Sequence, residues 1–319
     1  MLYIDNETIK SVGFTWDETI STIEEAIICM YKEEWAQPIK PYLRYGNPRN
    51  RIIAMPAYVG GNIKTAGIKW ISSFPDNINR NMPRAHCVVI LNESDTGIPK
   101  AILNASLVSI IRTASVSGVV IKKYLHENEG KTVNIGIIGW GPIGQYHYKM
   151  LCSILGERIN KVFLYDKKKI ILEQLIENAN KIEIVDQWEK AYDDVDIFLT
   201  CTVSNERYIN KPPKEGSLLL NVSLRDYQPD IYNYVKNSII VDDWNEVCRE
   251  DTDIERISQA YNLRKEMTHD LIDVLVNDYF KSMHNKTVMF NPMGMGVFDI
   301  AIGEYFYLKA MKDSYGINL

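Results

Sequence analysis

Six residues in the middle of the chain, Gly139-Trp140-Gly141-Pro142-Ile143-Gly144, have the types and spacing to hold an anion with backbone alone. They follow the apolar run Val133-Asn-Ile-Gly-Ile-Ile138, predicted as a buried strand, and they open a predicted helix. In that setting Gly139 permits a tight turn, Gly141 lets backbone N–H groups approach a pyrophosphate, and Gly144 lets the helix pack closely. The helix N-terminus adds unpaired donors and the positive end of its dipole. The next apolar run, Lys161-Val-Phe-Leu-Tyr, ends at Asp166, about 20 residues past the turn, where a carboxylate can accept from a ribose hydroxyl. Strand, turn, helix, strand and acid in this order indicate dinucleotide binding. Because Asp166 would repel a 2′-phosphate, the expected cofactor is NAD. Lys167, Lys168 and Lys169 follow and could offset a phosphate, although such a run is usually a solvated face.

Two cations stand in apolar company. Arg112 lies among Leu107, Ile110, Ile111, Ala114, Val116 and Val119 on a predicted helix from about Leu107 to Tyr124. A guanidinium there needs an anion, either a ligand or a structural Asp, unless its stem carries the charge out to water. Lys69 alternates with Ile68 and Trp70 along a predicted strand and so projects from the opposite face, which the pattern leaves open as pocket or solvent. The carboxyl end of another apolar run carries Thr200, Cys201 and Thr202, at the edge where a doubly wound sheet binds its ligand.

The elements that must position these groups fall into two grammars. After the glycine turn, strand and helix alternate: a helix from beyond Asp166 to about Ala179, then the runs Val195–Thr202, Ser217–Ser223 and Ser238–Asp243, which suit parallel strands buried on both faces. Before it, a helix with the capping box Thr15-Trp-Asp-Glu18 leads into a strand-rich stretch. Arg51–Pro56, Thr65–Ile71 and His86–Asn92 are strand candidates, the last turning through Ser94-Asp-Thr-Gly97 into Ile98–Leu103 as a hairpin. The polar segment Tyr124–Gly130 reads as a linker.

With 319 residues and 46% apolar content the chain is long enough for two domains, and its net charge of −5 argues against a nucleic-acid surface. No apolar run is long enough to span a bilayer. The five cysteines have no metal-ligand spacing, and an odd count without an apolar leader points to reduced thiols in the cytoplasm. The five histidines show no pattern of a nucleophilic or metal site, and His147, on the helix after the turn, reads as surface or packing.

Several motifs together resemble the ornithine cyclodeaminase/mu-crystallin family. They are Ile68-Lys-Trp-Ile-Ser-Ser-Phe-Pro-Asp-Asn77, Pro83-Arg-Ala85, Arg112-Thr-Ala-Ser115, the nucleotide turn, Ser223-Leu-Arg-Asp226 and Phe290-Asn-Pro-Met-Gly-Met-Gly-Val-Phe-Asp299. The resemblance covers essentially the whole chain, and the Phe-Pro-Asp-Asn and Pro-Arg-Ala segments are most similar to the branch serving 2,3-diaminopropionate biosynthesis for siderophores or peptide antibiotics. It implies an α/β fold of two domains. A substrate-binding and dimerisation domain would take residues 1–126 plus 292–319, including a last helix at Val297–Ala310, and a doubly wound NAD-binding Rossmann domain residues 127–291. It also implies NAD-dependent oxidation of N-(2-amino-2-carboxyethyl)-L-glutamate by a homodimer. Other family chemistries are cyclodeamination, ketimine reduction, alanine dehydrogenation and non-catalytic nucleotide binding.

Carried over by position, the resemblance makes Arg44, Lys69 and Arg112 the cations for a substrate carboxylate, Asp226 the acid beside the reacting carbon and Thr113 a neighbour of the cofactor phosphates. Lys69 is also a candidate for proton exchange. Arg84 is added because a substrate with three carboxylates needs several cations. No metal is expected. The chain departs from its relatives at two places. Ile53 stands where ornithine cyclodeaminases carry a glutamate, which makes ring closure on ornithine a poorer fit, and Asn104-Ala-Ser106 stands where Glu-Gly-Ser is the branch pattern.

Overall fold

The computed structural model describes residues 1–171, 178–204, 206–283 and 285–319. Its residue contacts fall into two compact units, Met1–Val116 with Gly294–Leu319, and Ser117–Met293.

The first unit begins with strand β1 (Leu2–Ile4) and helices α1 (Asn6–Val12) and α2 (Trp16–Tyr31). The capping box expected at Thr15 is present, with the Glu18 amide donating to the Thr15 hydroxyl and the Glu18 carboxylate accepting from the Thr15 amide. Short strands β2 (Trp35–Ala36) and β3 (Tyr42–Leu43) precede the long meander β4 (Arg51–Val59), β5 (Thr65–Ser73), β6 (Ala85–Glu93) and β7 (Pro99–Asn104). The sheet runs from a C-terminal strand, Ile317–Asn318, through β1, β7, β6, β5 and β4 to β2, with β3 also paired to β4. The meander is antiparallel, whereas β1 joins β7 in parallel. The meander strands β4 to β7 match the candidates read from alternation and turn residues, whereas β1, β2, β3 and the C-terminal strand were not among those candidates.

One face of the meander is covered by the C-terminal helix, Gly296–Lys312, which also packs on α1 and α2. Contact is close because Gly303 faces the sheet, where a Cβ would lie 3.3 Å from Leu91 and 3.4 Å from Val89. The covered face takes Met55, Ala57, Lys69, Cys87, Val89 and Leu91, all buried. In-register partners on the other face include Ala54, Trp70 and Val88 in one row and Pro56, Ile68, Ile90 and Ile102 in the next.

Helix α3 (Ser106–His126) runs from the first unit into the second. The division falls inside it, after Val116, whereas the linker expected at Tyr124–Gly130 begins in its last turn. The second unit holds β8 (Val133–Ile138), α4 (Pro142–Leu155), β9 (Ile159–Tyr165), β10 (Ile182–Ile184), β11 (Ile197–Thr200), β12 (Leu218–Asn221), β13 (Ile239–Val241) and β14 (Val288–Asn291). Its order, β10-β9-β8-β11-β12-β14-β13, reverses at β8 and every pairing is parallel. That is the doubly wound pattern, whose ligand edge is the carboxyl end of the central strands. The three apolar runs that seeded this expectation became the fully buried strands β11, β12 and β13, while β14 was not among them. Of the helix expected between Asp166 and Ala179, residues 172–177 lie outside the described residues, as does His284, and the described residues 167–171 are not helical. Among the described residues no helix is long and apolar enough to cross a membrane.

Candidate functional site

The glycine turn follows β8 without a break. Gly139 adopts φ +95°, and a Cβ there would sit 2.4 Å from the Cys201 carbonyl oxygen, so only glycine allows β8 and the segment after β11 to leave the sheet side by side. At Gly144 a Cβ would meet the Gly139 oxygen at 2.0 Å, which locks the start of α4 against the turn. Gly141 differs, because a Cβ there would meet nothing within 4 Å. It is the N-cap of α4, offers no capping side chain and precedes Pro142 at the first helical position. Orphan amides and open space therefore coincide at one helix start, as a pyrophosphate requires. Ile143 serves the helix itself, its carbonyl accepting from the buried His147 ring.

Asp166 directly follows β9, with one carboxylate oxygen accepting from the Trp140 amide at 2.6 Å and the other from the Lys168 amide at 2.8 Å. The carboxylate thus sits beside the turn, held by backbone on both sides. Among the described residues the buried Trp140 indole nitrogen has no hydrogen-bond partner. Its ring meets Tyr148 edge-on, with centroids 5.7 Å apart. Glycines, amides and acid together fit a dinucleotide.

Beside this turn, at the ends of β11 and β12, lies a buried polar cluster. Asp226 is fully buried, and its carboxylate accepts from the Thr202 hydroxyl at 2.5 Å and from the Ser223 hydroxyl. Its backbone amide donates to Asp253 at 3.0 Å, and Asp253 in turn accepts from Asn221 and Arg207. Between Ser223 and Asp226 the chain passes through Leu224 at φ +64°, a left-handed conformation held by the Asn221 side chain accepting from the Leu224 amide. Burial, with Asp226 nearby, raises the pKa of the Cys201 thiol and of the Tyr208 phenol, so both stay protonated. Cys201 and Thr202, proposed from sequence as cofactor neighbours, are therefore a wall of the turn and a donor to Asp226.

The first unit gathers the cations. Lys69 is 1% exposed and projects from β5 onto the face covered by the C-terminal helix. Its ammonium donates to Ser109 Oγ at 2.7 Å and to Asp299 Oδ1 at 2.8 Å. Arg112, on α3, donates through Nε to the same Asp299 oxygen at 2.9 Å. A turn above Ser109, Thr113 donates to the Ser109 carbonyl, so Ser109, Arg112 and Thr113 share one helical face. The guanidinium's outer nitrogens lie on Gly294, where a Cβ would stand 2.9 Å and 3.2 Å away. Gly294 itself has φ +89°, and its carbonyl accepts from the buried Lys40 ammonium at 2.7 Å.

Charge balance in this cluster is set by burial first. Burial pushes the Lys69 pKa down, Asp299 opposes that and Arg112 adds to it. Burial would raise Asp299, but Arg112 and Lys69 outweigh it and hold the carboxyl below its usual range. Removing one member of such a buried set strands the others and costs about 3–5 kcal/mol.

The anion that Arg112 demanded is thus a structural one, Asp299. Sequence reasoning assigned no role to Asp299, Ser109 or Lys40. Asp299 closes the Phe290–Asp299 motif, an acid in an otherwise apolar helix start, and that oddity was the available signal. Arg44 and Arg84 are placed elsewhere. Arg44 lies exposed after β3, donating to the Pro48 carbonyl at 3.2 Å with its guanidinium over the Tyr42 ring. Arg84 is half-buried before β6, its carbonyl accepting from Phe74. Their two loops are clasped by Arg49, which donates to both Asp76 oxygens at 2.8 and 3.0 Å.

A parallel sheet reversing at a glycine turn, with a separate unit built around buried cations, defines a two-unit dinucleotide-binding protein of the oxidoreductase type. The chain belongs to the ornithine cyclodeaminase/mu-crystallin family, whose profile matches residues 6–314. It is 32% identical to N-((2S)-2-amino-2-carboxyethyl)-L-glutamate dehydrogenase of Staphylococcus aureus, over 100% of this chain and 98% of that one. It is 24% identical to alanine dehydrogenase of Archaeoglobus fulgidus, over 100% and 98%. Among solved structures, Delta(1)-pyrroline-2-carboxylate reductase of Thermococcus litoralis, in complex with NADH and L-proline, superposes with a TM-score of 0.87 at 21% identity, covering 100% of both chains. An archaeal alanine dehydrogenase dimer with bound NAD gives 0.82 at 21% identity, covering 100% of this chain and 98% of that one.

Proposed function

We propose that the protein uses NAD to oxidise N-(2-amino-2-carboxyethyl)-L-glutamate, giving L-2,3-diaminopropionate and 2-oxoglutarate. The observation that carries this reading is the full-length 32% identity to the Staphylococcus aureus dehydrogenase. The buried Lys69–Arg112 pair supports it by supplying what an acidic amine needs.

NAD, when bound, accepts a hydride from the α-carbon of the glutamate portion. The substrate nitrogen loses a proton and becomes an imine, water adds to the carbon, and the C–N bond breaks to leave keto acid and primary amine. The turn from Gly139 to Gly144 holds the pyrophosphate by its amides, Asp166 takes the ribose hydroxyls, and Thr113, Cys201 and Thr202 complete the cofactor contacts. Lys69 and Arg112 hold a substrate carboxylate, Arg44 and Arg84 take the remaining ones, and Asp226 accepts the proton from the amine or the attacking water. The Thr202 and Ser223 hydroxyls fix the direction of that carboxylate.

Incubation with NAD and a panel of N-substituted glutamates, ornithine, lysine and alanine tests the reading, with NADH absorbance and product masses as readouts. Lasting NADH with 2-oxoglutarate and 2,3-diaminopropionate is expected. NADH from alanine alone overturns it.

The working form in this reading is a homodimer. Trp70 and Val88 are 45% and 39% exposed in the middle of the apolar outer face of the meander, and a second copy of that face would cover them. Sedimentation of wild type against Val88→Lys checks this, with a dimer shifting toward monomer expected. The five free thiols suit a reducing cytoplasm.

A further inference from the structure

We propose that Asp299 is a positioning residue for the reaction, its single oxygen Oδ1 fixing the Lys69 ammonium and the Arg112 guanidinium as one pair that receives a substrate carboxylate. The inference rests on the functional reading above for its substrate and on geometry for everything else.

An acid serving only to neutralise two buried cations would be expected to offer one oxygen to each. Here both donors converge on Oδ1, at 2.8 Å from Lys69 and 2.9 Å from Arg112. Oδ2 is buried without a hydrogen-bond partner among the described residues. Arg112 approaches by its Nε, so the carboxylate does not occupy the outer pair of nitrogens, which lie along Gly294. That pair is the edge a second carboxylate would grip in bidentate fashion. Because Asp299 sits in the first turn of the C-terminal helix, the cations are tied to an element that packs against β4, β5 and β6. Ser109 on α3 accepts from Lys69, which sets the ammonium from a second direction.

The charge count supports the same role. Lys69, Arg112 and Asp299 together carry one net positive charge, which attracts an acidic substrate while the shared carboxylate offsets the repulsion between the two cations. The ionisable groups facing Lys69 are Asp299 on the C-terminal helix, Arg112 on α3 and Cys87 on β6. Burial raises the Cys87 thiol, so it stays neutral, and Asp299 is the one group of these that favours the protonated lysine as a carboxylate. The role therefore has a signature that packing alone lacks: without the carboxylate, Lys69 gives up its proton at lower pH.

The test follows Lys69 directly. Protein labelled with ε-13C-lysine is titrated by NMR, with the Lys69 signal assigned by its loss in Lys69→Arg. In Asp299→Asn the Lys69 titration is expected to fall by about one pH unit or more. NAD affinity, read by fluorescence, should remain within about twofold of wild type and reports that the second unit is intact. An unshifted titration in folded Asp299→Asn overturns the proposal. Should that variant not fold, Asp299→Glu decides, because it keeps the charge and displaces it by one methylene. A Lys69 titration held at the wild-type position, with kcat/KM for the acidic amine lowered at least about tenfold, supports the role. A shifted titration, or unchanged kcat/KM, overturns it. If wild type turns over no acidic amine, the substrate assignment falls, while the Asp299→Asn titration still decides whether Asp299 governs the lysine.

Discussion

The nucleotide turn and the cationic cluster solve the same problem, holding an anion in a protein interior, by opposite means. The turn uses backbone: three glycines within six residues, a helix start and a carboxylate just past the next strand. The cluster uses side chains drawn from far apart, with Lys69 and Asp299 separated by 230 positions and Arg112 and Asp299 by 187. Backbone recognition is local and tolerates few residue types. Side-chain recognition is long-range, and its strength depends on a shared counter-charge that no local pattern shows.

Substitutions can break that contrast, the largest effect first. Asp226→Asn keeps the shape but removes the proton acceptor, so turnover should fall by about 10³-fold or more while NAD binding is spared. Stopped-flow turnover and fluorescence titration measure the two, and undiminished turnover removes Asp226 from the chemistry. Gly144→Ala drives a Cβ to 2.0 Å from the Gly139 oxygen, so the turn must open. NAD affinity should drop by about 100-fold, and melting temperature should fall with it. Calorimetric binding at wild-type affinity would show that α4 can shift without consequence.

Gly294→Ala tests the cluster instead. Its Cβ would press on the Arg112 guanidinium, and φ +89° adds backbone strain. KM for the acidic amine should rise by roughly 10-fold with NAD affinity unchanged. Equal loss of both would mean that the two regions are not separable. Gly141→Ala sharpens the comparison from the other side, because no protein atom beyond its chain neighbours lies within 4 Å of that methyl. Stability should stay within about 0.5 kcal/mol of wild type while NAD binding weakens by about 10-fold, the signature of a glycine kept for its ligand.

The smallest effect concerns His147, which lies behind the turn. It is fully buried, donates from Nδ1 to the Ile143 carbonyl and accepts from Ser117 at Nε2, and burial pulls its pKa from 6.5 to about 4. The unfolded chain therefore binds this proton more readily. The neutral ring imposes no penalty above pH 6.5, and stability is lost as pH falls from there through about 4, by roughly 3 kcal/mol in all. Urea titrations at pH 7, 5.5 and 4.5 should show a shallower acid loss in His147→Gln than in wild type, and identical slopes would refute this assignment.

The contrast also explains what could be seen in advance. Gly139, Gly141, Gly144 and Asp166 were legible because the conformation each must adopt limits the residue type, and the alternating strands β4 to β7 were legible because one face had to be apolar. Lys69 could be assigned to a face by parity alone, yet parity does not say what covers that face. Arg112 announced a missing anion without identifying it. Asp299 gave only the weak signal of an acid in an apolar helix start, because an acid in the first turn of a helix is also an ordinary stabiliser of the dipole. The Leu224 turn escaped notice too, since leucine rarely adopts positive φ and only the Asn221 side chain makes it hold.

Asp166 leaves a visitor little latitude. Because backbone amides grip both of its oxygens, the carboxylate cannot swing aside to make room for an unwelcome phosphate. A flexible acid could be induced to yield, and its veto would weaken as the rest of the ligand bound. A clamped one keeps its veto, so discrimination against the 2′-phosphorylated dinucleotide should persist even in crowded, saturating conditions.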